Sequence, residues 1–122
     1  MSNPNFKISV QEGYVLMERQ AGSTVVPGDQ PAMQAELLGF CKEANCRNVI
    51  ITGSDVKVDL STLDLLELGN EIANSGLRIA VVETHDASAD DVSFLENVAW
   101  NRGGLIQFFD AEDAALEWLG VA

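Results

Sequence analysis

The sequence predicts an α/β protein, a mixed β-sheet with helices packed on it. Two short runs rich in β-branched residues, at 49–52 and 79–82, flank a segment in which leucine and isoleucine recur at helical spacing. A helix of this length between two strands is typical of a right-handed crossover between parallel neighbours. A third apolar run at 105–109 follows one more helical segment, so we expect three parallel strands side by side.

The first part of the chain is predicted to form a β-hairpin followed by a long loop. Apolar and polar residues alternate over 6–10 and 14–19, and Gly13 between them supplies the positive φ that a hairpin turn often needs. We expect this hairpin to form the antiparallel edge of the sheet. Residues 21–31 are rich in glycine and proline, which predicts an unusually long loop, and residues 23–26 within it could add a short extended piece.

Four helices are expected from their end signals and apolar stripes. The first begins near Pro31 and ends near Asn45, and the central one is capped by Asp59 or Ser61 and ends at Gly76. The third and fourth are predicted from the caps Ser88 and Asp110 and from the inward residues Val92, Phe94, Leu95, Val98, Ala99, Trp100, Ala114, Ala115, Trp118 and Leu119. The predicted order is β-β-α-β-α-β-α-β-α with a mixed five-stranded sheet, and residues 1–122 are expected to form a single domain.

Charge and composition exclude several classes of partner. Nineteen acidic residues against seven basic ones give a net charge of -12, which opposes binding to nucleic acid or to anionic membranes. No apolar run is long enough to span a bilayer and the N-terminus lacks a signal-peptide pattern, so we expect a cytoplasmic protein without membrane insertion. Cys41 and Cys46 are expected to stay reduced, with Cys41 in the core.

Three longer phrases carry a likeness to a known family. They are the leucine-rich helix at 60–69, the sequence Phe-Leu-Glu-Asn-Val-Ala-Trp-Asn-Arg-Gly at 94–103, and the sequence Phe-Phe-Asp-Ala-Glu-Asp-Ala-Ala-Leu-Glu-Trp-Leu at 108–119. With the order of elements, they resemble the SpoIIAA-like (STAS/SEC14-like) branch of the STAS-domain superfamily over nearly the whole chain. The resemblance implies a small, cytoplasmic bacterial protein, and it also connects the chain with a lipid-binding fold.

The resemblance further implies a site at the start of the central helix. Better-understood relatives, the anti-sigma-factor antagonists, bind a partner kinase and are phosphorylated within an Asp-Ser-Ser-Gly signature at this place. Here the corresponding residues are Asp59, Leu60, Ser61 and Thr62, of which Asp59 and Ser61 match the signature. The implied phosphorylation and partner site is therefore Asp59, Ser61 and Thr62, with a kinase or anti-sigma-like factor as partner. From the residues alone, Ser61 also has the simpler role of a helix cap.

Polar residues also follow two of the predicted parallel strands, where α/β proteins place their ligands. These candidate ligand or partner loops are Gly53, Ser54 and Asp55 after one strand and Thr84, His85 and Asp86 after the next. His85 and Asp86, together with Asp90 and Asp91, are candidates for a metal-binding or hydrolytic cluster. However, one histidine with scattered carboxylates does not show the spacing of metal ligands. We therefore expect no metal, no cofactor and no catalytic residue.

Two functions stay open at this point. The first is a non-catalytic, regulatory interaction module that presents residues 53–62 to a protein partner, with phosphorylation near Ser61 as a refinement. The second is a binder of a small apolar or lipid-like ligand between helices and sheet, where the pocket-lining aromatic residues would be Trp100, Phe108, Phe109 and Trp118. The loop at 21–31 and an uncovered sheet edge also leave room for a homodimer.

Overall fold

The structure is a computed structural model that describes residues 6–85 and 89–121. Its elements follow the predicted alternation of strands and helices. In chain order they are β1 (Phe6–Gln11), β2 (Tyr14–Arg19), β3 (Thr24–Val25), a 3-10 turn (Pro27–Asp29), α1 (Gln30–Ala44), β4 (Asn48–Val58), α2 (Thr62–Ser75), β5 (Arg78–His85), α3 (Ala89–Asn101), β6 (Leu105–Phe108) and α4 (Glu112–Leu119).

The sheet is mixed, with one antiparallel edge. Its main path runs β1-β2-β4-β5-β6, in which β1 is antiparallel to β2 and every later pair is parallel. Ile50 pairs with Ala80, and Ala80 pairs in turn with Gln107, so the three runs expected to lie side by side do so. The prediction of parallel central strands with a hairpin at the edge is confirmed.

Strand β4 extends through a segment that the sequence predicted as a connection. Asp55 adopts a left-handed φ of 52°, and the pairing with β5 shifts register between Gly53 and Val56. The turn-forming residues therefore form an irregularity within the strand and do not end it. Beyond it Val56 is buried again. The prediction of a loop at Gly53, Ser54 and Asp55 is therefore wrong, because the apolar alternation resumes after the irregularity.

The sheet also has a sixth strand within the described ranges, one more than expected. Residues 24–25 form β3, which pairs in parallel with the far end of β4 through Thr24 opposite Lys57. The extension of β4 provides the partner that this short piece needs. Two further hydrogen bonds fasten it, because the Lys57 amide donates to Ser23 and the Asp59 amide donates to Val25, each at 2.8 Å.

The two faces of the sheet are covered unequally. On the first face, side chains of the central strands form the main core with α1, α2 and α3; this core includes Val15, Met17, Leu37, Val49, Ile51, Leu65, Ile72, Ile79, Val81 and Leu95. On the second face, Ile50 and Ala80 pack against Ala115 and Leu119 of α4. Successive residues of each central strand point alternately into the two cores, because side chains along a strand alternate between the faces of the sheet.

Helix ends follow the predicted chemistry in most places. The hydroxyl of Ser61 accepts the Asp64 amide at 3.2 Å while the Asp64 carboxylate accepts the Ser61 amide at 2.9 Å, which makes a capping box at the start of α2. Gly76 ends that helix with a left-handed φ of 71°. At α4, however, the cap position is Ala111, whose side chain makes no cap hydrogen bond, so the prediction of Asp110 as cap is wrong. The predicted cap Ser88 lies outside the described residues.

Two residues expected to face inward, Trp100 and Ala114, do not, and one further leucine is also exposed. Trp100, in the last turn of α3, is 68% exposed. Ala114 is exposed, and Leu116 of the same helix packs against the second core in its place. Leu63, in the first turn of α2, is 62% exposed. Helical spacing identifies a stripe of residues, but it does not show how far along the helix the cover extends.

Candidate functional site

The main core contains a cavity of about 110 Å³ between the first face of the sheet and helices α1, α2 and α3. Most of its lining is aliphatic or aromatic. The apolar residues around it are Val25, Met33, Leu37, Leu38, Ile51, Val58, Leu60, Leu65, Leu68, Ile72, Leu77, Ile79, Val81, Val92, Leu95, Ile106 and Phe108. A largely apolar cavity with a few polar groups is the usual form of a small-molecule site.

Uneven helix spacing explains why the cavity lies where it does. A side chain at Gly69 of α2 would come within 2.6 Å of Val98 in α3, and one at Gly104 would come within 2.6 Å of the Ala73 Cα atom. Glycine at these positions lets α2 approach α3 and the start of β6 closely. Helix α1 instead packs over β1 and β2, so the room on this face lies between α1 and the closely packed pair α2 and α3.

A second, smaller hollow of about 80 Å³ adjoins the cavity. It shares Leu60, Leu68 and Glu71 with the cavity and continues to Pro27 and Pro31, beside the first turn of α1. The two hollows therefore lie side by side along α2, with Glu71 exposed to solvent and the two leucines more buried.

Five polar side chains line the cavity, namely Arg19, Gln34, Glu71, Ser75 and Asp91. The hydroxyl of Ser75 is engaged, since it donates to the Ile72 carbonyl at 2.6 Å and accepts the Leu77 amide at 3.2 Å. The Gln34 side chain differs, because within the described residues its buried Nε2 has no hydrogen-bond partner. Gln34 was not singled out by the sequence, since one glutamine in a helix carries no pattern.

The predicted site at the start of α2 is present as a surface feature. Asp59, Ser61 and Thr62 are all exposed, and none of them lines the cavity. The capping box occupies the Ser61 hydroxyl and the Asp64 carboxylate in holding the helix end together. The structure thus brings these residues to one exposed place and gives Ser61 the role of a cap.

The predicted ligand loops are not loops in the described residues. Gly53, Ser54 and Asp55 belong to β4, and Thr84 and His85 belong to β5, with His85 paired opposite Val56. The placement of these residues after their strands is therefore wrong, because both strands run further than their apolar runs suggest. Asp86 lies outside the described residues. No group of three or more His, Cys, Asp or Glu side chains is placed to hold a metal ion in the ranges 6–85 and 89–121.

The predicted aromatic pocket is divided between the two faces. Only Phe108 of the four aromatic residues lines the cavity. Phe109 and Trp118 lie in the second core with ring centroids 5.7 Å apart. There Arg78 stacks 5.2 Å from the Trp118 ring centre and donates to the Trp118 and Leu119 carbonyls at 2.8 and 3.3 Å, which holds the end of α4 against β5.

Both cysteine thiols are free. Cys41 packs in the main core with 4% of its surface exposed, and Cys46 is half-buried beside the Gly13 carbonyl. Burial raises the pKa of Cys41 from its ordinary value of 9.0 to about 11, and the nearby Cys46 adds to the shift. Cys41 is thus a neutral packing residue at physiological pH, where a reactive cysteine would need a lowered pKa.

Among solved structures, the chain is similar to an uncharacterized protein of the DUF3478 family with a SpoIIAA-like fold from Shewanella loihica PV-4. The two share 21% sequence identity over 98% of each chain, with a TM-score of 0.50. No protein-family model and no curated protein matches the chain. The likeness defines the fold class, and the chain has the SpoIIAA-like, STAS-like fold that its sequence resembles. None of the helices described here is both long and apolar enough to cross a bilayer.

Proposed function

We propose that this protein is a non-catalytic binding module of STAS-like fold that holds a small apolar ligand in its core cavity. The observation that supports this proposal is the apolar cavity between α1, α2 and the sheet. SpoIIAA-like folds are generally non-catalytic, which agrees with the lack of a catalytic pattern in the sequence. The expected cytoplasmic location and the homodimer stay predictions.

The size of the cavity argues for an occupant. A fully enclosed cavity of about 110 Å³ would cost on the order of 2–3 kcal/mol, at about 24 cal/mol per Å³, and the cost is smaller here because the cavity is partly open to solvent. An engineered apolar cavity of about 150 Å³ in another protein binds benzene, so a single ring or a short alkyl chain would fill this smaller, partly open cavity completely. Burying such a ligand offsets the cost of the empty space, because apolar contacts replace missing ones.

The binding proposal is tested with toluene and a matched pair of leucine variants. Leu68 lines the cavity, whereas Leu63 lies one turn earlier on the same helix and is 62% exposed. Leu68→Phe should fill the cavity and weaken toluene binding at least tenfold, while Leu63→Phe should leave binding unchanged. Titration followed by amide chemical shifts measures both, and native mass spectrometry of the freshly purified protein reports any ligand retained from the cell.

Two results would contradict the proposal. One is the lack of saturable toluene binding by the wild-type protein. The other is an equal effect of the two leucine variants, since that would place the binding outside the cavity. Thermal unfolding of both variants provides the folding control, because Phe at either position keeps the helix and changes only side-chain volume.

A second candidate function is protein binding at the start of α2. The supporting observation is a run of exposed residues, Ser61, Thr62 and Leu63, of which the leucine has no core to pack in. Phosphorylation of Ser61 would disrupt the capping box and place its charge beside Asp64, which would change this surface locally. The partner in this hypothesis is a kinase or an anti-sigma-like factor.

The partner hypothesis is tested by phosphosite mapping after incubation with host lysate and ATP, and by pull-downs with Ser61→Ala and Ser61→Asp in parallel. We expect phosphate at Ser61 and a partner whose capture differs between the two variants. Equal capture by both, with no phosphate at Ser61 or Thr62, would remove the switch. Ser61→Ala alone should cost about 1 kcal/mol of stability through the lost cap, so both variants need a check of folding.

A further inference from the structure

We infer that the cavity selects an uncharged ligand that carries a hydrogen-bond acceptor, such as an ester or ketone, and that Gln34 donates the hydrogen bond that recognises it. The inference rests on the proposed function, since it requires a ligand in the cavity. The inference specifies the chemical class of that ligand, and it names the residue that distinguishes the ligand from a plain hydrocarbon.

Gln34 provides the first line of argument. It lies on α1 among apolar lining residues, next to Met33 and one turn before Leu37 and Leu38. Its Nε2 is closed to solvent, and no acceptor for it is found in the part of the chain that the structure describes. A buried amide N–H without an acceptor destabilises a protein, so a ligand that brings an acceptor gains more than its apolar contacts alone.

The Gln34 amide reaches such a ligand through rotation of its own side chain. The side chain belongs to the cavity wall, whereas its Nε2 is closed to a water-sized molecule, so an N–H meets the ligand only after the amide group turns. The terminal torsion angle of glutamine has a broad distribution, so rotation about it can turn an N–H towards the cavity. The adjoining Met33 is flexible and fills irregular space, so it can accommodate that rotation.

The charges around the cavity provide the second line of argument. Two carboxylates, Glu71 and Asp91, lie exposed at its edge against one guanidinium, Arg19. Asp64 and Glu67 line the adjoining hollow, and the whole chain has a net charge of -12. A ligand carboxylate would meet repulsion from these acidic side chains and would lose its own hydration on entering an apolar space. A neutral acceptor avoids both costs.

The experiment compares three probes of similar size by amide chemical-shift titration at pH 7: toluene, methyl pentanoate and hexanoate. Toluene has no strong acceptor, the ester has a neutral one, and hexanoate is an anion. We expect the wild-type protein to bind all three, with hexanoate weaker than methyl pentanoate.

Gln34→Met removes the amide while keeping a flexible side chain of similar length. We expect it to weaken methyl pentanoate binding about five- to tenfold relative to toluene, as one net hydrogen bond predicts. It should also raise the melting temperature of the ligand-free protein, because an unpartnered buried N–H is removed. The matched control is Gln107→Met, since Gln107 is exposed on β6 between two cavity residues. This control should leave the ratio of ester to toluene affinity unchanged.

A second measurement needs no variant. In protein labelled with ¹⁵N-glutamine, the side-chain amide signal of Gln34 should move on addition of methyl pentanoate and stay nearly still with toluene. An unchanged ester-to-toluene ratio in Gln34→Met, or an unmoved Gln34 amide signal, would overturn the role of Gln34. Hexanoate that binds as tightly as the ester would overturn the preference for uncharged ligands. Failure of toluene itself to bind would instead overturn the proposed function.

Discussion

Single residues in this protein show chemistry that depends on their place in the fold. Ser61 was identified from the sequence as a cap, and the structure gives it that role with both halves of a capping box. Gln34 could not be identified in this way, because what sets it apart is a buried N–H beside a cavity. Burial and unpaired donors are properties of the packed molecule, and no local pattern encodes them.

Cys41 makes stability depend on pH in the alkaline range. The folded protein holds the Cys41 proton up to a pKa of about 11, whereas an unfolded thiol releases it near 9.0. Above pH 9 the unfolded state therefore binds fewer protons at this site, and the free energy of unfolding should fall as pH rises towards 11. Denaturant unfolding at several pH values measures the slope.

Two variants separate this effect from other alkaline groups. In Cys41→Ala the free energy of unfolding should decline less steeply between pH 9 and 11 than in the wild-type protein. In Cys46→Ala most of the wild-type decline should remain. Equal slopes in all three proteins would contradict the assignment. Iodoacetamide at pH 8 gives an independent readout, since it should modify Cys46 well before the buried Cys41.

At the scale of elements, the sequence was informative about the order of elements and less so about their ends. Parallel strands and crossover helices could be predicted because β-branched runs and helical spacing are local signals. Strand β4 was predicted too short because Gly53, Ser54 and Asp55 have the composition of a turn. Their strand state depends on the pairing of Gly53 and Val56, on either side of the irregularity, with β5, which is distant in sequence. The cavity could not be predicted for the same reason, since it arises from how α1 and α2 are spaced.

Close packing of α2 against α3 makes a prediction for two helical glycines. Gly69→Ala should destabilise the protein by about 1–3 kcal/mol, because its new methyl group would lie 2.6 Å from a Val98 methyl group and valine has little rotamer freedom. Gly39→Ala, at an exposed position of helix α1, meets nothing within 4 Å and should stabilise the protein by about 0.5–1 kcal/mol through helix propensity.

Chemical denaturation of the two glycine variants measures both changes on one scale. Opposite signs would show that helix contact, rather than glycine flexibility, decides the result. A neutral or stabilising Gly69→Ala would mean that α2 and α3 lie further apart than the structure has them.

At the scale of the whole molecule, net charge sets the response to salt. A charge of -12 on a chain of this size gives self-repulsion in the compact state, which is stronger when little salt is present. The screening length falls from about 30 Å at 0.01 M ionic strength to about 8 Å at 0.15 M. We expect the melting temperature to rise by several degrees over that range of sodium chloride, as followed by circular dichroism. A falling melting temperature would show that attractive ion pairs outweigh the repulsion.

The whole-molecule fold was the part best predicted, because every local signal agreed with one α/β architecture. The unequal cover of the sheet was not predicted, since the apolar stripes of α1 to α4 do not state which face each helix takes. Topology decides that assignment, through the handedness of each crossover. It leaves three helices on the face with the cavity and α4 on the other.

The cavity on the first face of the sheet also affects how the protein responds to pressure, because pressure acts on volume. Unfolding eliminates internal voids, so high hydrostatic pressure favours the unfolded chain in proportion to the space that it removes. The ligand-free protein should therefore unfold at a lower pressure than the protein with toluene bound in the cavity. The space beside α1 and α2 that can hold a ligand therefore also makes the ligand-free protein sensitive to pressure.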